Sequence, residues 1–206
     1  MKYLFLASFI ITNIFFNPAM ATEEPDFKLI SEEGDFQIRE YEPKIIAQVE
    51  VEGNFDEASS KGFKLLADYI FGNNLLDGES KKISMTTPVE MTPLAENLIM
   101  TSSIMDDQVN NKWSVNFVMP QEYSLDTLPK PNNSQIDIIE VPSEKYAVII
   151  FSGLVRESSY TDKAKLLSNY FKQNNFEKRG AIKIARYNPP WTLPFFRRNE
   201  LMVKID

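Results

Sequence analysis

The chain contains neither cysteine nor histidine. Without cysteine there are no disulfides, no thiolate nucleophile, no Fe–S cluster and no Cys-rich zinc site. Without histidine there is no Ser-His-Asp triad, no His-ligated zinc and no proximal-His haem. Glycine is also scarce, seven in 206 residues with none clustered, so no glycine-rich phosphate loop exists. Basic charge is in deficit, 22 Lys+Arg against 29 Asp+Glu, for a net charge of −7. That balance argues against a nucleic-acid partner and against a polybasic lipid-binding face. The chemistry left open is that of carboxylates, Lys or Tyr, an oxygen-ligand metal, or an apolar ligand. Carboxylate pairs are inevitable on so acidic a surface, and Asp106-Asp107 lacks calcium-loop spacing, so no enzyme and no metal site is expected.

What remains is ordinary globular composition, 43 % hydrophobic and 25 % charged. Met1-Lys2, the apolar run Tyr3–Phe16 and the small residues of Ala19-Met20-Ala21 fit a secretory signal peptide over residues 1–21, with Thr22 first in the mature chain. The run is short of the ~20 residues a membrane span needs. The expected location is periplasmic or secreted, with no stable membrane insertion after cleavage. Residues 22–206 are expected to form one domain, beginning with a loose Glu23–Asp26.

The chain repeats itself. Glu40–Gly53 and Glu140–Gly153 each carry an apolar strand ending in glycine, offset by 100 residues. Leu65–Phe71 answers Leu166–Phe171, and Asn73-Asn74 answers Asn174-Asn175, at an offset of 101. This pattern predicts two β-α-β-β units related by a pseudo-twofold, about 27–127 and 134–206, sharing one core. Phe55, Ala58, Gly62, Leu65, Leu66, Tyr69 and Ile70 mark one face of a helix, with Asn54 as its N-cap and Gly72 as its stop. Tyr160, Ala164, Leu167 and Phe171 mark the second helix, capped by Thr161 or Ser159. Trp113, Val115, Phe117 and Met119 alternate as a strand, with a hairpin partner near Leu98–Met105 joined by the polar link Asp106–Asn111. Asp137–Glu140, Tyr146–Phe151, Ile182–Tyr187 and Glu200–Ile205 are further strands, and Leu128–Asn133 is a proline-stiffened connector.

Several blocks have an uncommon shape: Ile83-Ser84-Met85-Thr86-Thr87-Pro88-Val89, Phe117-Val118-Met119-Pro120, Tyr123–Pro131, Tyr146–Gly153, and above all Tyr187-Asn188-Pro189-Pro190-Trp191-Thr192-Leu193-Pro194-Phe195-Phe196-Arg197-Arg198-Asn199-Glu200. With them the chain resembles the SOUL haem-binding protein family from about Phe27 to Asp206. The resemblance implies an α+β fold, a distorted antiparallel β-barrel carrying two helices and built from a duplicated unit. It also implies non-covalent binding of haem or iron-free porphyrin in an apolar cleft beside a helix. A His-ligated mode cannot carry over to this chain. Burial of about 400 Å² of porphyrin surface, at about 25 cal/mol per Å², supplies roughly 10 kcal/mol before association costs of at least about 4. The remainder allows micromolar binding or somewhat weaker.

Each candidate residue has an alternative role. Phe63, Leu66 and Tyr69 could line the cleft or simply fill the core. Lys61 and Lys64 could pair with propionates or remain solvated. Met85 could be pocket wall, packing or iron ligand. Tyr41, Tyr69 and Tyr123 are open as phenolate ligands, and Met119 is core by its strand phase. Arg197 and Arg198 could grip an anion or tie their own loop to Glu200 and to backbone carbonyls. The rival functions are a binder of another hydrophobic small molecule and an envelope interaction protein with no ligand.

Overall fold

The computed structural model describes residues 22–94 and 111–206. It contains strands β1 (Phe27–Glu33), β2 (Phe36–Tyr41) and β3 (Lys44–Gly53), helix α1 (Phe55–Ile70), then β4 (Asn74–Leu75), β5 (Val89–Pro93), β6 (Asn111–Val118), β7 (Lys130–Pro131), β8 (Ile136–Val141) and β9 (Glu144–Phe151). Helix α2 (Glu157–Asn174), β10 (Arg179–Arg186), a short 3-10 turn (Pro194–Phe196) and β11 (Asn199–Ile205) complete the chain. The hairpin partner expected near Leu98–Met105, and Asp106–Asn110 of the polar link, lie outside the described residues. Among the described residues β6 pairs antiparallel with β5 on one side and β3 on the other.

Nine strands form one antiparallel sheet in the order β1-β2-β9-β11-β10-β5-β6-β3-β8. From the central β10–β5 pair outward the order is matched on both sides: β11, β9, β2 on one and β6, β3, β8 on the other. The α+β expectation holds, with two helices and one large antiparallel sheet. The sheet is not a closed barrel, because no ladder joins its edges β1 and β8. It is a distorted, cup-like barrel with both helices packed on one face. Lys130-Pro131 of the connector is not free chain, since it pairs with Asn74-Leu75.

Strand alternation sorts the side chains onto two faces. Ala47, Val49, Val115, Phe117, Ala147, Ile149, Ile184, Leu201 and Val203 point to the helices and make the main core. Tyr41, Tyr146, Val148, Ala185, Tyr187 and Met202 make a second cluster on the opposite face. Helix α1 begins as its sequence dictates: Asn54 accepts from the Glu57 amide at 2.9 Å, and the Glu57 carboxylate accepts from the Asn54 amide at 3.4 Å. Gly72, at φ +127°, follows the last turn in a conformation that disfavours any side chain. Helix α2 starts earlier than its composition suggests. Arg156 is the N-cap, and Ser159 is the third helical residue, its hydroxyl accepting from the Arg156 amide at 2.8 Å. Thr161 does not cap at all.

The expected loose N-terminus is instead tied down. The Glu23 carboxylate accepts from the Gln121 amide and its carbonyl from the Thr87 amide, both at 2.8 Å. Glu24 accepts from the Arg198 guanidinium at 3.0 and 3.2 Å. Composition alone did not reveal these partners, which lie far away in sequence.

Candidate functional site

The six residues singled out by sequence do not surround one cavity. Leu66 and Tyr69 are fully buried in the main core. The Tyr69 hydroxyl donates to the Pro129 carbonyl at 2.7 Å, and burial raises its pKa, so no phenolate is available there. Phe63 is 39 % exposed and packs edge-on to Phe117, with ring centroids 5.4 Å apart. Lys61 donates to the Glu52 carbonyl at 3.1 Å, and Lys64 projects from the same exposed side of α1. Met85 is half-buried against the core. Tyr41 is buried on the other face of the sheet beside Arg39.

The apolar groove lies on α2. A hollow of about 460 Å³ is lined by Ala164, Leu167, Phe171, Phe176, Ile182 and Val203, with Ser168, Lys172, Asn175 and Lys178 at its margin. A second hollow of about 330 Å³ adjoins it, sharing Ala164, Ser168 and Lys172 and extending along Tyr160, Thr161, Lys165 and Asn169. The sizes fall in the range of ligand pockets. Two hydroxyls here are conspicuous. Tyr160 is 2 % exposed, yet neither its hydroxyl nor the buried Thr161 Oγ1 has a hydrogen-bond partner among the described residues. A buried orphan hydroxyl costs about 1–3 kcal/mol. Burial also pushes the Tyr160 phenol up, which keeps it neutral and able to donate. Desolvation lowers the Lys178 ammonium, so an anion beside it relieves an existing penalty.

Side-chain size beneath the two helices accounts for the open groove. At the offset of 101, Phe63 of α1 corresponds to Ala164 of α2. In the sheet, Ala47 pairs with Phe117, and Ala147, one repeat on, pairs with Val203. The first half therefore fills this place with the Phe63–Phe117 aromatic pair. The second half has alanine and valine, and a hollow remains. The helices are seated differently as well. Gly62 lets α1 lie on Val115, where an added Cβ would come within 2.5 Å of a Val115 methyl. Lys163 stands at the matching position of α2. The signal was present in the sequence as these substitutions, but only the pairing register shows that they meet.

The opposite face of the sheet holds charge rather than a slot. Glu200, fully buried, accepts two hydrogen bonds from Arg39 at 2.9 and 3.1 Å, two from Arg198 at 2.7 and 2.9 Å, and one from the Tyr187 hydroxyl at 2.8 Å. Glu90, also buried, accepts from Lys183 at 2.7 Å and Lys44 at 3.1 Å. Burial alone would raise the Glu90 carboxyl, but the two ammonium groups outweigh it and hold the group down to about 2. These side chains satisfy one another and fill their face. A third hollow, of about 440 Å³, has an apolar wall of Ile45, Val118, Met119, Tyr123 and Leu125, with Lys44 and six carboxylates (Glu23, Glu24, Asp26, Glu42, Asp126 and Glu140) around it. Six carboxylates against the single Lys44 disfavour a ligand with carboxylate side arms there. Among the described residues no group of three or more acidic side chains is placed to hold a metal ion.

With a helix-side apolar groove and a matched two-half sheet in view, similarity to known proteins becomes informative. The family model of the SOUL heme-binding protein matches residues 22–204. The chain belongs to the SOUL family. No curated protein sequence matches significantly. Among solved structures, the EcmrR C-terminal domain is similar with a TM-score of 0.61 at 10 % identity, covering 83 % of this chain and 96 % of that one. An uncharacterized conserved protein from Listeria innocua gives 0.56 at 10 % identity, covering 85 % and 94 %. A protein from the same organism described as a hydrolase gives 0.54 at 11 % identity, covering 86 % and 94 %. At such identities the likeness is one of fold alone.

SOUL membership brings tetrapyrrole binding at the level of the family, and the α2 groove can be tested for fit. Its floor is apolar, as a porphyrin face requires. Lys172 and Lys178 stand at its edge, as carboxylate side arms require. It contains no His, Cys or Met, and its tyrosine is held neutral by burial. The residues fit a macrocycle held by its faces and carboxylates, without an axial ligand.

Proposed function

We propose that the protein binds haem or iron-free porphyrin reversibly in the α2 groove, to buffer, carry or sequester it outside the cytoplasm, and that it is a binder rather than an enzyme. The supporting observation is the groove of about 460 Å³, whose apolar floor is flanked by Lys172 and Lys178. Ala164, Leu167, Phe171, Phe176, Ile182 and Val203 exclude water from the macrocycle faces. Lys172 and Lys178 pair with the carboxylates. The bound group supplies its own colour and redox chemistry, and the protein supplies shelter from water.

A second placement on α1 is favoured by Phe63, half-exposed with Lys64 beside it. There Lys61, Lys64 and Met85 would border the ligand.

Titration with haemin and with protoporphyrin IX, followed by the Soret band and tryptophan quenching, tests the function. Saturable binding by both is expected in the micromolar range. No saturable change below about 100 μM, weaker than about 5.5 kcal/mol, overturns it. Native mass spectrometry of the protein purified from its own compartment identifies the retained ligand by mass. A different hydrophobic molecule in place of a tetrapyrrole would transfer the groove to that rival function.

A further inference from the structure

The β10–β11 connection, Tyr187–Arg198, has no role in the groove, yet it carries the largest exposed apolar side chains of the described residues. Trp191 is 84 % exposed, Leu193 55 %, Phe195 65 % and Phe196 70 %. Isolated exposed apolar residues are normal, but four large ones within six positions are not.

The segment is rigid, so their exposure is built in. Arg197 spends its guanidinium on the loop itself, donating to the Thr192 carbonyl at 2.8 Å and to the Pro190 carbonyl. The Arg197 amide donates to the Pro194 carbonyl at 3.0 Å and the Phe196 amide to the Leu193 carbonyl at 2.9 Å. The Gly153 amide donates to the Pro194 carbonyl at 2.9 Å, and the Asn188 side chain accepts from the Arg198 amide at 2.6 Å. Pro189, Pro190 and Pro194 stiffen the rest. A loop already fixed with its aromatic groups outward loses little entropy on docking.

Two observations indicate what it docks on. First, Arg198, at the base of the loop, is ion-paired with Glu24 at 3.0 Å. The described chain therefore starts against this loop, and in sequence the apolar run Tyr3–Phe16 precedes Glu24 by only a few residues. While that run is attached and in contact with a membrane, the seven residues between Phe16 and Glu24 keep the loop within about 25 Å of it. Second, the composition is that of an interfacial anchor: tryptophan and phenylalanine seek the headgroup boundary, and proline and arginine-capped carbonyls leave few bare polar groups.

We propose that the Trp191–Phe196 loop is a membrane-contact element that inserts shallowly into a zwitterionic phospholipid surface. The net charge of −7 opposes anionic lipid, and Arg197 is occupied within the loop, so apolar insertion is the driving term. Contact is insensitive to salt, unlike binding through basic residues.

The purified protein is mixed with phosphatidylcholine vesicles, with and without brominated acyl chains. Trp113 is fully buried, which leaves Trp191 as the responsive fluorophore. A blue shift and bromine quenching of Trp191, unchanged between 0.05 and 0.5 M salt as about a tenfold range, are expected. The double change Phe195→Ser and Phe196→Ser is expected to weaken quenching at least tenfold while haemin titration stays unchanged. The double variant keeps residues 1–21, so its loss of quenching separates insertion of the loop from attachment through that segment. Absence of quenching, quenching equal in the double variant, or a blue shift that grows with protein concentration without lipid, the mark of a second copy, each overturns the proposal. Haemin binding and loop insertion are read separately, so one can fail without the other.

Discussion

Arg39 and Glu200 meet on the buried face of the sheet through two parallel hydrogen bonds, although 161 residues separate them in sequence. Arg39 is 1 % exposed and Glu200 is 0 % exposed. The pair joins β2 to β11 across the intervening β9. Glu200→Ala leaves the Arg39 guanidinium buried beside an empty space, and removing one member of such a pair typically costs about 3–5 kcal/mol. Tyr187→Phe deletes a single donor to the same carboxylate and costs about 1 kcal/mol. Urea unfolding monitored by circular dichroism checks the order: Glu200→Ala far below Tyr187→Phe, and Tyr187→Phe just below the unaltered protein.

Glu90 gives the fold an acid limit. Its folded carboxyl titrates at about 2, well below the ordinary glutamate value of about 4.3, because Lys183 and Lys44 overcome its burial. Between these values the unfolded chain binds more protons than the folded one, so stability rises with pH. The contribution is fully present above about pH 5 and is lost as pH falls towards 2, on the order of 2–3 kcal/mol. Glu90→Gln removes this slope while leaving Lys183 and Lys44 without their counter-ion, so it lowers stability at pH 7 as well. Unfolding free energies measured from pH 3 to 7 for both proteins check this. Parallel curves would show that Glu90 is not the responsible group.

How much of this was legible in sequence depends on distance along the chain. The Asn54 N-cap of α1 and the strand phase of Trp113–Phe117 follow from short-range spacing, and both are present. The Arg197 and Arg198 contacts to nearby carbonyls and to Glu200 were also readable, since their partners lie within a few residues. The groove was not placed by sequence. Helical periodicity marks the buried face of α1, and Leu66 and Tyr69 satisfy it by filling the core. The decisive contrast is between Phe63 with Phe117 and Ala164 with Val203. It depends on which strand residue lies beneath which helix residue, and a single helix cannot reveal that. Arg39 and Glu90 were invisible for the same reason. A lone charge in a strand reads as solvent-facing until its partner arrives from another strand.

Gly62 tests the close seating of α1. A Cβ there would meet the Val115 side chain at 2.5–3.0 Å, with no flexible side-chain end to move aside. Gly62→Ala therefore pushes the helix from the sheet and costs about 1–3 kcal/mol, despite alanine's better helix propensity. Lys163→Ala, at the matching position of α2, creates no such clash and loses only the contacts to Phe151 and Asp35, a cost of about 1 kcal/mol or less. Thermal unfolding of the two variants compares them directly.

Ala164→Phe rebuilds in α2 the residue that fills the first half. The new ring has the space between α2 and Val203 to enter, so the fold is kept and the groove is closed. Porphyrin affinity is expected to fall at least tenfold, with the unfolding midpoint unchanged or raised. Phe63→Ala is the reciprocal change. It opens α1 and leaves affinity within about threefold if the ligand sits on α2, but weakens it strongly if the α1 placement is correct. Lysine substitution then separates the two ends of the ligand. Lys172→Gln with Lys178→Gln removes the cations at the groove margin, and loss of two charge-assisted contacts of about 1 kcal/mol each weakens protoporphyrin about thirtyfold. Its dimethyl ester, which carries no carboxylate, binds the double variant and the unaltered protein alike. With no axial ligand in the groove, haemin and metal-free protoporphyrin bind within a few-fold of one another in every variant. A hundredfold preference for haemin would reveal an iron ligand and displace the groove from its assigned place.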